Sequence, residues 1–146
     1  MKQACLFCEI TGGKIPAHRI YEDANHLAIL DIFPAVRGQA LTMPKRHHGS
    51  YIFSMPEQEY AELMRFTREV SRRIDQRLGT IRTCMVMEGM EVDHAHIKLY
   101  PIHKVITNVA RGTIDLNEYQ GFISTVHGER MNDNELAEMA RKIRGD

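Results

Sequence analysis

Residues 92–101 read Val92-Asp93-His94-Ala95-His96-Ile97-Lys98-Leu99-Tyr100-Pro101, and this stretch decides the fold. Side chains two apart on an extended strand share a face. His94, His96 and Lys98 therefore form a polar row, while Ala95, Ile97 and Leu99 form an apolar row that needs a core to face. A strand over 94–101 also needs partners. Residues 82–88 precede it as a second strand, with a turn at Gly89. Upstream, the runs 19–21, 27–31 and 39–44 have strand length and are separated by turn signals at Gly12-Gly13, Pro16, Asp23-Ala24-Asn25, Pro34 and Gly38. The expectation is an antiparallel sheet of about five strands.

One long helix interrupts these strands. Ser54-Met55-Pro56-Glu57 has the form of a capping box, and Tyr60, Leu63, Met64, Thr67, Val70, Ile74 and Leu78 recur every three or four residues up to Gly79. A second helix closes the chain: Asn132 caps it, Glu135 answers, and Leu136, Met139, Ala140 and Ile143 share a face. Strands with an inserted helix and no strand–helix–strand alternation give the α+β class. No repeat or low-complexity linker divides the 146 residues, so we expect a single domain over 1–146, with its core motifs in 5–101 and a C-terminal extension in 102–146.

Nineteen Lys and Arg balance nineteen Asp and Glu. That balance argues against nucleic acid as a partner, because affinity for phosphate backbones rests on an excess of cations. No apolar run approaches the eighteen or so residues needed to cross a membrane. Three cysteines is an odd number and suits a reducing, cytoplasmic setting better than a disulfide framework. Cys84 stands alone in an apolar run and is expected in the core.

Cys5 and Cys8 form C-x-x-C, a spacing that lets two thiolates close around a soft divalent ion, with two more ligands required. His94 and His47 are natural suppliers, and spacing alone leaves His48 in competition with His47. Taken alone, His94 and His96 also fit a solvated strand face with incidental histidines, or two ligands of a hydrolytic metal shared with Glu88 or Glu91.

Cys5-x-x-Cys8, Ile15-Pro16-Ala17, Tyr21-Glu22-Asp23, Leu30-Asp31-Ile32-Phe33-Pro34, Met43-Pro44-Lys45-Arg46-His47 and the stretch 93–101 occur in this order. The chain thereby resembles the histidine-triad (HIT) family of nucleotide hydrolases and transferases over about residues 5–101. The resemblance implies a homodimer paired across the inserted helix and a strand. It also implies a purine nucleotide, such as a dinucleoside polyphosphate or nucleoside phosphoramidate, cut at its α-phosphate. It places the nucleophile at His96 and a structural zinc on Cys5, Cys8, His47 and His94, favouring His47 over His48. It places Leu6, Phe7, Ile10, Leu30 and Ile32 around the base and Asp31 at the ribose hydroxyls. The Glu88-Gly89 turn joins the nucleotide site by supplying a carbonyl that fixes the His96 tautomer.

Three features depart from the family pattern. Lys98 replaces the third histidine, where it can neutralise phosphate charge but does not relay protons as an imidazole does. The turn 87–92 is short and lacks the family's neutral phosphate contacts, leaving Glu91 near that place. Gln39 stands where a histidine is usual and is assigned no role. Loss of turnover with retained nucleotide binding is the non-enzymatic alternative.

Overall fold

His26-Leu27-Ala28-Ile29-Leu30 shows no apolar–polar alternation, as expected where both faces of a strand are covered. A computed structural model of the chain describes residues 5–104 and 127–146 and bears this out: every residue of this strand is buried. Ala28 and Leu30 join one apolar cluster, and Leu27 and Ile29 join another on the opposite face.

The strand is β2 (His26–Leu30) of a five-stranded sheet with β1 (Arg19–Glu22), β3 (Ala40–Pro44), β4 (Arg82–Val86) and β5 (Ile97–Ile102). The order is β1-β2-β3-β5-β4, and every neighbouring pair is antiparallel. The α+β architecture read from the sequence is therefore the one observed. Part of the 102–146 extension lies outside the described residues.

Two helices cover one face. The helix Glu57–Leu78 contributes Leu63, Phe66, Val70 and Ile74, and Asp133–Arg144 contributes Leu136, Met139, Ala140 and Ile143. They meet Ala95, Ile97 and Leu99, the apolar row of the 92–101 stretch. Each fully buried Leu or Ile here contributes about 1.5–3 kcal/mol by leaving water. A short helix, Leu6–Thr11, lies on the other face, where Phe7 and Ile10 pack on Leu27, Ile29, Leu41 and Met43. In chain order these helices are α1 (Leu6–Thr11), α2 (Glu57–Leu78) and α3 (Asp133–Arg144).

Several expectations are corrected. The capping box does not form: Ser54 Oγ donates to the Tyr51 carbonyl within the preceding turn, and Pro56 occupies the N-cap of α2. Asn132 does cap α3, accepting from the Asn134 amide. Cys84 is exposed rather than core, because β4 is the edge strand of the sheet. β2 ends at Leu30, so Asp31 begins a loop and is not a strand residue.

Candidate active site and metal centre

The polar row of the 92–101 stretch is not a solvated face. His94 is fully buried, and His96 and Lys98 are 5% and 4% exposed. The cover comes from α1, whose Phe7 ring meets the His94 and His96 rings edge-on at 5.9 and 5.0 Å between centroids. The backbone ahead of β5 is held by the loop after β3. The Ala95 amide donates to the His48 carbonyl at 2.9 Å, and the Ser50 amide donates to Asp93 Oδ1 at 2.9 Å.

This arrangement gathers Cys5 and Cys8 Sγ with one nitrogen each of His47 and His94, all within 4.8 Å of one another. Cys5 Sγ lies 3.4 Å from His94 Nδ1, and Cys8 Sγ lies 3.4 Å from His47 Nδ1 and 3.5 Å from His94 Nδ1. The edges of a tetrahedron with metal–sulfur arms of about 2.3 Å and metal–nitrogen arms of about 2.0–2.1 Å measure roughly 3.5 Å. The three sulfur–nitrogen spacings thus match the edges of a tetrahedral ligand set. His48 is elsewhere: its Nε2 pairs with Glu59 at 2.6 Å.

The second nitrogen of His94 explains its orientation. Nε2 lies 2.8 Å from the Pro44 carbonyl, which can only accept, so Nε2 carries the hydrogen and the Nδ1 lone pair faces the thiols. Burial, with the nearby histidines, pushes the His94 imidazole below its usual range and keeps that lone pair available. The Cys8 thiol is pushed up to about 11 by burial and by the Cys5 thiol against it. Two crowded thiols favour ionisation only when a cation shares the site.

His96 has the opposite arrangement. Its Nδ1 lies 2.7 Å from the His94 carbonyl, so Nδ1 carries the hydrogen and Nε2 keeps its lone pair. The carbonyl that fixes the tautomer is that of His94, two residues back in the chain, not one from the Glu88-Gly89 turn. Burial pushes His96 below its usual range, and the Lys98 ammonium adds to this, so the neutral ring is favoured.

Beside His96 is a cavity of about 260 Å³ between α1 and the loop after β2. Its walls include Leu6, Phe7, Ile10, Leu30, Asp31, Ile32, His96 and Lys98, which brings together every residue expected around the base, ribose and phosphate except Gly89. Gly89 has φ +62°, and a Cβ there would lie 2.7 Å from the Ser50 carbonyl oxygen; glycine is needed to shape the turn. Asp31 is buried, with Oδ1 accepting from the Phe33 amide at 2.8 Å and Oδ2 from Gln39 Nε2 at 2.7 Å. Gln39 Oε1 in turn accepts from the Ala35 amide at 2.7 Å, so this fully buried amide fixes the carboxylate and the loop together. The sequence marked Gln39 only as a departure from the family pattern, with no role assigned to it.

Val86 of β4 pairs with Lys98, and the chain leaving β4 carries Glu88 past the ammonium, where the two form a buried ion pair. Burial would raise the Glu88 carboxyl, but Lys98 and the Met90 amide hold it below its usual range. Glu91 Oε2 is 3.9 Å from Lys98 Nζ, and its other oxygen is 2.7 Å from His127 Nε2. Sequence reasoning did not single out His127, which lies 31 positions beyond His96 and carries no local motif.

Residues 12–105 match the HIT domain family model. A HIT-like protein of Mycobacterium tuberculosis is 43% identical over 102 residues, covering 66% of this chain and 70% of its own. An adenosine 5'-monophosphoramidase of Saccharomyces cerevisiae is 29% identical over 99 residues, covering 67% of this chain and 62% of its own. A Zn-bound histidine triad family protein from Mycobacterium smegmatis superposes with a TM-score of 0.73 at 25% identity, over 97% of this chain and 91% of that one. With the family match covering most of the sheet and α2, and with a fold shared across almost the whole length, the chain belongs to the histidine-triad (HIT) family.

Proposed function

We propose that this protein is a zinc-stabilised nucleotide hydrolase or nucleotidyltransferase. It cleaves at the α-phosphate of a purine nucleotide conjugate, of the phosphoramidate or dinucleoside polyphosphate type, through a nucleotidyl-His96 intermediate. The observation that carries this reading is the complementary tautomers of the two histidines: His94 turns Nδ1 to the thiols, and His96 keeps Nε2 for phosphorus. The name of the yeast relative, a monophosphoramidase, supports the phosphoramidate class.

The donor set fits zinc, which prefers four-coordinate sulfur and nitrogen ligands. Zinc, when bound, supplies a structural cross-link between α1, the end of β3 and the residues ahead of β5. In the reaction, the apolar walls hold the base and Asp31 receives the ribose hydroxyls. Each Asp31 oxygen already accepts one hydrogen bond and retains capacity for another. The neutral His96 Nε2 attacks phosphorus, and Lys98, held by Glu88, offsets charge on the phosphate oxygens. Gly89 contributes by shaping the turn that carries Glu88 and Glu91. A hydrolytic metal shared by His94, His96 and these acids is the weaker reading, because His94 faces the thiols and Glu88 faces Lys98.

Asp31→Ala is expected to weaken binding of a ribonucleotide by about 1.5–3 kcal/mol, roughly 10–150-fold. The affinity of the 2',3'-dideoxynucleotide should change little. Titration calorimetry with both ligands checks this, and equal losses would remove the ribose role.

The proposal extends to a homodimer of single-domain subunits in a reducing, cytoplasmic compartment, with no nucleic acid or membrane partner. β4 ends the sheet with Met85 and Cys84 exposed, and Ile81, Tyr51 and Phe53 are exposed apolar side chains. An open apolar edge strand invites pairing with a second chain. Light scattering should give twice the 16.8 kDa chain mass at micromolar concentration; a mass of one chain would contradict it.

A further inference from the structure

His127 reaches the same cavity as His96 and Lys98 from a distant part of the sequence. Its position is built by the backbone that follows it. The Gly128 amide donates to the Phe33 carbonyl at 3.2 Å, and the Met131 amide donates to the Ile32 carbonyl at 2.9 Å. A Cβ on Gly128 would lie 2.0 Å from the Pro34 carbonyl oxygen, so only glycine lets the segment approach this closely. Glu91 then grips the ring, with one carboxylate oxygen on His127 Nε2 and the other toward Lys98.

The cavity has a chemical requirement that His96 and Lys98 do not meet. When His96 Nε2 bonds to the α-phosphorus, the bond from phosphorus to the leaving atom breaks and that atom takes the electron pair. An amine leaves readily only if it also receives a proton. Lys98, paired with Glu88, acts as a positive charge, whereas an imidazole exchanges protons near neutral pH. Asp31 is engaged by Phe33 and Gln39. Among the described side chains lining the cavity, His127 is the imidazole besides His96.

We propose that His127 is the proton donor to the leaving group, doing from the C-terminal segment what Lys98 cannot do from the strand. The assignment rests on the reading of His96 as nucleophile. In the first step the imidazolium of His127 gives its proton to the departing amine through the ring nitrogen not held by Glu91. In the second step a water oxygen bonds to phosphorus, the phosphorus–Nε2 bond breaks with its electron pair returning to His96, and the water's proton returns to His127. Glu91 is a positioning residue that holds Nε2–H of the ring.

The test compares two substrates of AMP, one joined through a P–N bond to an alkylamine and one esterified to p-nitrophenol, which leaves without protonation. In single turnover, His127→Gln should lower the rate of nucleotidyl-His96 formation from the alkylamine substrate by about 100-fold or more and from the nitrophenyl ester by no more than about threefold. Glu91→Gln should shift the two substrates in the same unequal way with a smaller loss, and it carries the test if His127→Gln does not fold. Equal losses on both substrates, or full activity of His127→Gln on the alkylamine, would overturn the proposal. Mass spectrometry of the wild-type protein during turnover separates the two readings. A labelled His96 with no leaving-group effect rejects only the role of His127, whereas absence of nucleotidyl-His96 rejects both.

Discussion

His96→Ala is expected to reduce turnover by at least about 10⁴-fold, while nucleotide affinity falls by less than about tenfold. The asymmetry follows from where the ring acts. Its Nδ1–H is committed to the His94 carbonyl, and in the proposed mechanism its Nε2 acts on phosphorus only during the reaction, so the ground state loses little when the ring is removed. The proposed base and ribose contacts lie on other walls of the cavity, at Leu6, Phe7, Ile10 and Asp31. Among the described residues no other imidazole of the site has this environment: His94 is turned to the thiols, and His127 is held by Glu91. Single-turnover kinetics and calorimetry on one preparation check the pair of outcomes. Substantial hydrolysis by the variant would show that phosphorus is attacked by something else.

Cys5→Ser is expected to bring zinc from about one ion per chain to near zero and to lower stability by several kcal/mol. Structural zinc contributes on the order of 10 kcal/mol to small domains that cannot fold without it. Here the loss should be smaller, because the cluster on the α2 and α3 face does not involve the ligands. The damage should fall on α1, which is tied to the sheet by Phe7, Ile10 and the two cysteines. Because α1 forms one wall of the cavity, nucleotide binding should fall together with the metal. Metal analysis and denaturant unfolding measure both effects. A metal-free protein as stable as the untreated one would exclude the cross-link.

Much of the fold was legible because its elements carry periodic signals. The α2 positions Leu63, Thr67, Val70 and Ile74 repeat at helical spacing, and Ala95, Ile97 and Leu99 alternate with His94, His96 and Lys98. The α1 helix has six residues, too few for a period to emerge, and its identity rests on tertiary contact with the sheet. The burial of Lys98 was illegible for a related reason: a lysine in an alternating row reads as solvent-facing unless its covering helix and its Glu88 partner are both known.

The site divides in the same way. Cys5, Cys8, His94 and His96 were readable because their type and spacing carry chemistry within a few residues. Spacing alone left His47 and His48 open and the family resemblance favoured His47; adjacent residues in this turn point in different directions, and of the two His47 is the one that reaches Cys8. Asp31 read as an acid in need of donors, and the structure supplies two of them from the protein itself, through Gln39 and the Phe33 amide. His127 was invisible to any local pattern, because a close approach between Gly128 and Pro34 puts it in the cavity.

The central claim is covalent catalysis by His96, and mass spectrometry of the protein quenched in acid-free conditions during turnover of a slow adenosine phosphoramidate tests it most directly. The account predicts one nucleotidyl group on the peptide containing His96, absent from His96→Ala. Turnover with no adduct, or an adduct on a different residue, would contradict it.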